Sequence, residues 1–538
     1  MDQNGPSALE TSPSVFILPP ELLATIFIIN EHLEYSHDNG KSPRYASQVC
    51  NHWRNIALSC PPLWTRIANM NNSSPEWIDQ LLERSKGAPL IVKGYIRDEQ
   101  PTIAKLCSIL QHASRFDTFQ MVVLSSSPLI DDVLRQLLLR PSPFLRSLCI
   151  IDQSKLLFNT IAPSYPDPLF EGEASLLQDL RIRNIAINLA SPLLHNVRNL
   201  EVIEVSHNLA PSVGKWLNIL ANFSLLETLS VSDAFADSDE LETSLPEVHL
   251  PNLSCLNLHG SFSECIRLLS HLVLPAACSL GLGCSETRSH KASDFSVMQQ
   301  IITKMLNSWP ADVVSSKLEV FISPEFLSAC NDDLYGCRAL ERKIPALELT
   351  FFWSDPYNET ALLLSVLKAL EAARLVNVTE LHLDISREIC VQFRPALLHF
   401  ISFFPALEVL KVTSRGLRKL FPLLQGNDPT NTEGPSNEAQ ATALLPSLRT
   451  IILDMVFCNE ETRTHLFSFL QWRVKIGASI DMINVAICCH SDKLMDGLKK
   501  VDRLTIVGAK VVETEQDDPN DSDDSSDDAK STVSTEEA

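Results

Sequence analysis

The sequence predicts an α/β chain in which a small all-helical unit precedes an irregular array of alternating strands and helices. Three observations carry that expectation: a short apolar triplet that recurs from Phe144 onward, spacers of helical periodicity between the triplets, and a proline-started helical stretch near the N-terminus. At 538 residues the chain exceeds what one compact core organises, so several domains or one extended repeat array is expected.

The triplet is a leucine-like residue, two variable positions, an apolar residue, one variable position and a third apolar residue. It reads as Leu145/Leu148/Ile150, Leu177/Leu180/Ile182, Leu200/Ile203/Val205, Leu226/Leu229/Val231 and Leu253/Leu256/Leu258, with starts 32, 23, 26 and 27 residues apart. Later copies are Val378/Leu381/Leu383, Leu407/Leu410/Val412, Leu448/Ile451/Leu453 and Val501/Leu504/Ile506. Prolines precede several of them, as Pro251, Pro405 and Pro446 do, where no ladder bond has begun. The spacing is close to the roughly 20 to 29 residues of leucine-rich repeats.

Spacers such as Val213, Trp216, Leu217 and Leu220, or Met298, Ile301, Ile302, Met305, Leu306 and Trp309, carry helical periodicity. Strand then helix, repeated, predicts an irregular leucine-rich-repeat-like β/α solenoid. Its curved parallel sheet would present one long concave face for binding. The asparagine that usually follows the third apolar position is matched only by Asn208, and Ile344 to Leu349 fits two frames equally well. A less regular α/β domain alternating the same elements accommodates the pattern too.

The N-terminal unit reads as helical from Pro19 and Pro20, with Leu22, Leu23, Ile26 and Phe27 at helical spacing. After a polar loop around His37 to Lys41, a second helical stretch places Tyr45, Val49, Trp53, Ile56 and Ala57 on one side, and Pro61 and Pro62 end it. The domain reading is 1–14 disordered, 15–67 the helical unit, 68–143 connecting helices and first repeat-like units, 144–510 the solenoid with a disordered loop at 425–440, and 511–538 an acidic disordered tail. The disordered assignments follow from polar composition too poor in apolar residues to offset ordering entropy.

Composition narrows function. Hydrophobic residues make up 45% and charged residues 20%, a globular balance. The net charge of -22 is concentrated at the end, where Glu513 to Ala538 hold eleven carboxylates against Lys530. An acidic chain without basic patches disfavours nucleic acid. The fourteen cysteines include no C-x-x-C pair, so they read as buried apolar residues rather than zinc ligands. No secretory leader and no apolar run of about 18 residues is visible, which predicts a cytoplasmic or nuclear chain without a membrane span.

Three strings in order carry a family resemblance: Leu18-Pro19-Pro20-Glu21-Leu22-Leu23-Ala24-Thr25-Ile26-Phe27, Val49-Cys50-Asn51-His52-Trp53-Arg54-Asn55-Ile56-Ala57, and Pro62-Leu63-Trp64-Thr65-Arg66-Ile67. Together they resemble an F-box, most closely that of the F-box-like proteins numerous in mushroom-forming fungi. Arg84-Ser85-Lys86-Gly87-Ala88-Pro89-Leu90 and His112-Ala113-Ser114-Arg115-Phe116 extend the likeness to about residue 125. The polar stretch Glu31 to Lys41 is longer than that pattern has between its first helices.

The resemblance implies docking to a Skp-family adaptor, and through it to a cullin and RING ubiquitin ligase, with the solenoid offering an unidentified protein target for ubiquitylation. The adaptor-facing candidates are Leu18, Pro19, Leu22, Ile26, Phe27, Val49, Cys50 and Trp53. Independently of the name, three short helices cannot sequester so many large apolar side chains. For Leu22, Leu23, Ile56 and Trp64, packing in the unit's own core fits equally well.

Phosphate-loop, dinucleotide, nucleophile-elbow and zincin motifs are missing from the sequence, so no enzyme, cofactor or metal is expected. Cys488-Cys489-His490 is the densest ligand-like cluster, and adjacent cysteines alternate faces on a strand. Ser522, Ser525 and Ser526 resemble acidophilic-kinase sites inside a solubilising tail. A repeat scaffold without any ubiquitin role is the alternative.

Overall fold

In a computed structural model, the chain is described over residues 18–508 apart from 34–40, 68–69, 126, 155–164, 166, 207, 237–243, 286–291, 310–315, 324, 332–346, 354–358, 372–374, 387–392, 427–443, 458 and 490–491. The expected disordered ends, nearly all of the 425–440 loop, the tail serines and His490 lie outside the described residues.

The chain begins with α1 (Pro20–Leu33), α2 (Lys41–Val49), α3 (Asn51–Leu58) and a 3-10 turn at Pro61–Trp64. Strands then follow as β1 (Arg66–Ile67), β2 (Leu90–Ile96), β3 (Phe116–Val123), β4 (Ser147–Asp152), β5 (Asp179–Arg183), β6 (Asn199–Ile203) and β7 (Thr228–Ser232). Next come β8 (Val248–His249), β9 (Cys255–Ser261), β10 (Leu272–Val273), β11 (Ser279–Ser285), β12 (Lys317–Ile322), β13 (Phe326–Cys330) and β14 (Leu347–Phe352). The last are β15 (Glu380–Ile385), β16 (Val409–Val412), β17 (Thr450–Phe457), β18 (Met482–Cys489) and β19 (Thr505–Val507). Between them run α4 (Pro75–Arg84), α5 (Gln100–Leu110), α6 (Pro128–Leu139), α7 (Val213–Leu220), α8 (Phe262–Ser270) and α9 (Ala292–Ser308). The remaining helices are α10 (Glu359–Glu371), α11 (Phe393–Ser402), α12 (Ser414–Leu424), α13 (Glu460–Lys475) and α14 (Asp492–Leu498).

Apart from the isolated pair β8 and β10, the strands form one 17-stranded sheet, and its register explains the triplet. Val92, Phe119, Leu148, Leu180, Leu200, Leu229, Leu256, Leu280 and Leu347 are successive partners across neighbouring parallel strands. Each is at most 2% exposed. A second row two residues on, from Met121 through Ile150, Ile182, Val202, Val231, Leu258 and Leu282 to Leu349, is buried as well. Alternation along each strand sends these rows to one face, against the helices, as the contact of Phe262 of α8 with Phe351 of β14 shows. Burying each such side chain contributes about 1.5–3 kcal/mol, so the stack of neighbours, not any one repeat, holds the array.

The register corrects two of the sequence frames. Leu200, not Ile203, partners Leu180 and Leu229, so the third copy is Val197/Leu200/Val202, all buried, while Ile203 points to the other face. The spacings become 32, 20, 29 and 27. In the last copy Ile506, not Leu504, partners Ile483, and the intervening copy Ile480/Ile483/Val485 escaped notice. Leu347 and Leu349 take the second and third positions, which resolves the two-frame stretch. Asn208 is exposed and belongs to no ladder; in the corrected frame its place is held by apolar Ile185, Val205 and Ala234.

The sheet starts at Arg66 and runs through the 68–143 stretch read as connecting helices and first repeat-like units, where Phe116, Phe119 and Met121 fill the triplet positions with residues a leucine pattern does not single out. It is also not wholly parallel. β13 runs antiparallel to both β12 and β14, so the spatial order is β11-β14-β13-β12-β15. Among the described residues, two connections carry 3-10 turns in place of an α-helix, at Leu169–Gly172 and Pro192–Asn196; the 20-residue step from Leu177 to Val197 leaves no room for an α-helix beside the strand.

Three strands end on a left-handed residue: Asn184 (φ 55°), Glu204 (φ 51°) and Asp233 (φ 48°). Each donates its N–H across the sheet, to Ile203, Ser232 and His259 respectively, at 2.7–3.0 Å. The kink carries the pairing one residue past the strand end before the chain leaves the sheet.

Candidate functional site

The N-terminal helices are built around Leu23, Phe27, Ala46, Ile56, Ala57, Leu63 and Trp64, all 8% exposed or less. Pro20 starts α1, whose inner side carries Leu23 and Phe27 one turn apart. Cys50 is extended (φ -157°, ψ 171°), and its Sγ accepts the Trp53 N–H at 3.4 Å as the N-cap of α3. That extended residue splits the expected single second helix into α2 and α3. Tyr45 and Val49 therefore do not share a side with Ile56 and Ala57: the first pair is exposed and the second buried.

Trp64 ties this unit to the sheet. Its Nε1 donates to the Ala57 carbonyl at 2.7 Å, its ring meets the Trp77 ring edge-on at 6.2 Å, and the Arg84 guanidinium lies 4.5 Å over it. Arg66 donates to the Glu31 carbonyl at 2.7 Å. The two strings that extend the sequence likeness meet each other as well. Arg115 donates to Ser85 Oγ at 2.7 Å and to the Ala88 carbonyl at 2.9 Å, and burial lowers its pKa.

The eight candidates divide by position. Leu22 (51% exposed), Ile26 (48%) and Val49 (61%) are apolar and largely outside, and Pro19 is exposed too. Leu18, Cys50 and Trp53 are half-buried, and Leu18 and Trp53 pack against the core. Phe27 is 4% exposed, with its ring 4.9 Å from that of Trp53, and so belongs to the unit's interior. Two exposed apolar residues complete the stripes: Ile29 (49%), one turn beyond Ile26 and Leu22, and Tyr45 (55%), one turn before Val49. Helical spacing from Leu22 was the signal that finds Ile29.

The sheet face opposite the helices is the other candidate. Over β4 to β9 it is polar and largely self-satisfied, around a groove of about 720 Å³. Asn199 donates to Asp179, Thr228 donates to Asn199 at 2.7 Å, and Arg181 and Arg183 pair with Glu201 and Glu204 on the next strand. Burial raises the Cys149 thiol in this groove, the reverse of what a nucleophilic cysteine needs. Among the described residues no group of three His, Cys, Asp or Glu side chains is placed to hold a metal ion. No helix among them is long and apolar enough to cross a membrane.

These features define a strand–helix repeat array of leucine-rich-repeat-like architecture, preceded by a helical unit with apolar side chains left outside. No family model and no curated protein matches the chain. Among solved structures, the leucine-rich repeat-containing protein LegL7 from Legionella pneumophila aligns over 77% of this chain and 98% of its own, at 11% identity and a TM-score of 0.25. A likeness that low carries no argument, and the repeat assignment stands on the buried ladders.

Proposed function

We propose that the chain is an F-box-type adaptor without enzymatic activity, acting in the cytoplasm or nucleus. The helices α1 to α3 dock to a Skp-family adaptor of a cullin and RING ubiquitin ligase, and the open sheet face binds a protein target. The observation that supports this most is the pair of stripes Leu22/Ile26/Ile29 and Tyr45/Val49, five large apolar side chains 48–61% exposed on two short helices. Solvent-facing apolar side chains clustered this way mark a surface that another polypeptide covers. The mechanism is tethering, which raises the effective concentration of target and ubiquitin-carrying enzyme to roughly millimolar.

The test is titration calorimetry of the full-length chain with a purified Skp-family adaptor. Binding at micromolar affinity or tighter is expected, with loss in Leu22→Asp plus Val49→Asp. No heat with the unaltered chain, or undiminished binding by the variant, sinks the reading. A second reading, a repeat scaffold with no ubiquitin role, draws support from the array alone. It predicts a target that binds while the adaptor does not.

A further inference from the structure

We propose that the open face of β14, β13, β12 and β15 is a docking surface for a basic, arginine-bearing segment of a partner protein. The face is assembled by the antiparallel insertion of β13. Register places Glu348, Cys330, Glu319 and His382 in one row across these strands, continued by Lys411 of β16, and Phe352 beside Phe326 in another. Phe352 is 52% exposed, with its ring centroid 6.0 Å from that of Phe326.

Charge is unbalanced here, unlike in the first half of the sheet. Strand positions on this face, with the adjoining Asp454 of β17, supply carboxylates from Glu319, Glu348, Glu380, Asp384 and Asp454 against the ammonium groups of Lys317 and Lys411. Both lysines already pair, with Glu380 at 3.0 Å and Asp454 at 2.9 Å. The excess of three negative charges therefore centres on Glu319, Glu348 and Asp384.

Inside the patch, His382 is 5% exposed, and neither ring nitrogen has a hydrogen-bond partner. Glu319 and Asp454 stand 3.9 Å away on its two sides, and the Phe321 ring packs edge-on at 4.7 Å. A buried imidazole with unmet hydrogen-bonding capacity, among surplus carboxylates and on the same face as the exposed Phe352 ring, is a site missing its counterpart.

Guanidinium groups match both components, since they pair with carboxylates and lie flat on aromatic faces. The chain's own end is excluded as occupant by sign, because 513–538 holds eleven carboxylates. Nucleic acid is excluded on the same ground. The inference is independent of whether α1 and α2 bind a ligase adaptor.

The experiment is fluorescence anisotropy of the full-length protein with a labelled arginine-leucine peptide, and with a glutamate-leucine peptide of equal length as control. Glu319→Gln plus Glu348→Gln is expected to weaken binding about tenfold, and Phe326→Ser plus Phe352→Ser about fivefold. The same loss of charge elsewhere, Glu83→Gln plus Asp502→Asn, is expected to change affinity less than about twofold. Circular dichroism verifies that each variant is folded, and the near-isosteric Glu→Gln pair keeps the test open should the phenylalanine pair unfold. Equal effects from the patch and remote charge pairs would mean attraction by overall acidity only and would overturn the proposal. So would comparable binding of the glutamate peptide, or no binding of the arginine peptide.

Discussion

Ile26 and Phe27 are neighbours in α1, yet truncating them has opposite consequences. Phe27 is 4% exposed against Trp53, so Phe27→Ala removes a buried ring and leaves a cavity. Loss of a core phenylalanine costs about 3–5 kcal/mol, including its share of the aromatic pair. Ile26 is 48% exposed, and the exposed half of its burial energy is worth about 1 kcal/mol, recovered only when a partner covers it. Unfolding of a long array is not two-state, so the suitable assay is amide hydrogen exchange over residues 20–58. Phe27→Ala is expected to speed exchange in α1 and α3 by about a hundredfold or more. Ile26→Ala is expected to leave exchange nearly unchanged and, under the proposed function, to weaken adaptor binding about fivefold. Equal acceleration by both, or more by Ile26→Ala, would refute the assignment of inner and outer faces.

Three other perturbations are informative. Burial lowers the His382 imidazole to about 4, Lys411 adding to it and Asp454, Asp384 and Glu380 opposing. The folded chain then binds fewer protons than the unfolded one between about pH 4 and 6.5, so stability is full above that window and falls by up to about 3 kcal/mol as pH drops through it. Amide exchange in β12, β15 and β16 at pH 7 and 4.5, corrected for the intrinsic pH dependence of exchange, is expected to lose less protection on acidification in His382→Leu, and an undiminished acid loss in that variant counts against it. Arg115→Lys forfeits the fork that joins Ser85 Oγ to the Ala88 carbonyl and should cost about 2 kcal/mol, seen as faster exchange in β2 and β3. Lys86 is exposed at φ 49°, so Lys86→Gly should stabilise the α4–β2 connection by up to about 1 kcal/mol, read as slower amide exchange there, and faster exchange would show that its side chain contributes more than its backbone strain.

The triplets at Leu145, Leu177, Leu226 and Leu253 were legible because a strand buried on one face repeats every second residue, and that period survives in the linear order. The helix over Val213, Trp216, Leu217 and Leu220 was legible for the same kind of reason, and all four are buried in α7. Where apolar residues occupy both faces, as at Leu200, Val202 and Ile203, periodicity alone admits two frames. There only the partners Leu180 and Leu229 select one.

Within the N-terminal unit, composition required some apolar surface to be left outside, but not which. The break at Cys50 turns Tyr45 and Val49 away from Ile56, and the packing of α1 on α3 takes Phe27 inside while leaving Ile26 out. The patch around His382 was invisible in the chain order, because Glu348 comes alongside Glu319 only through the reversed strand β13, and Glu319 and Lys411 come together only through β15. Local periodicity is written residue by residue; strand partnership depends on loop closure between distant segments, and it is partnership that decides which side chains share a face.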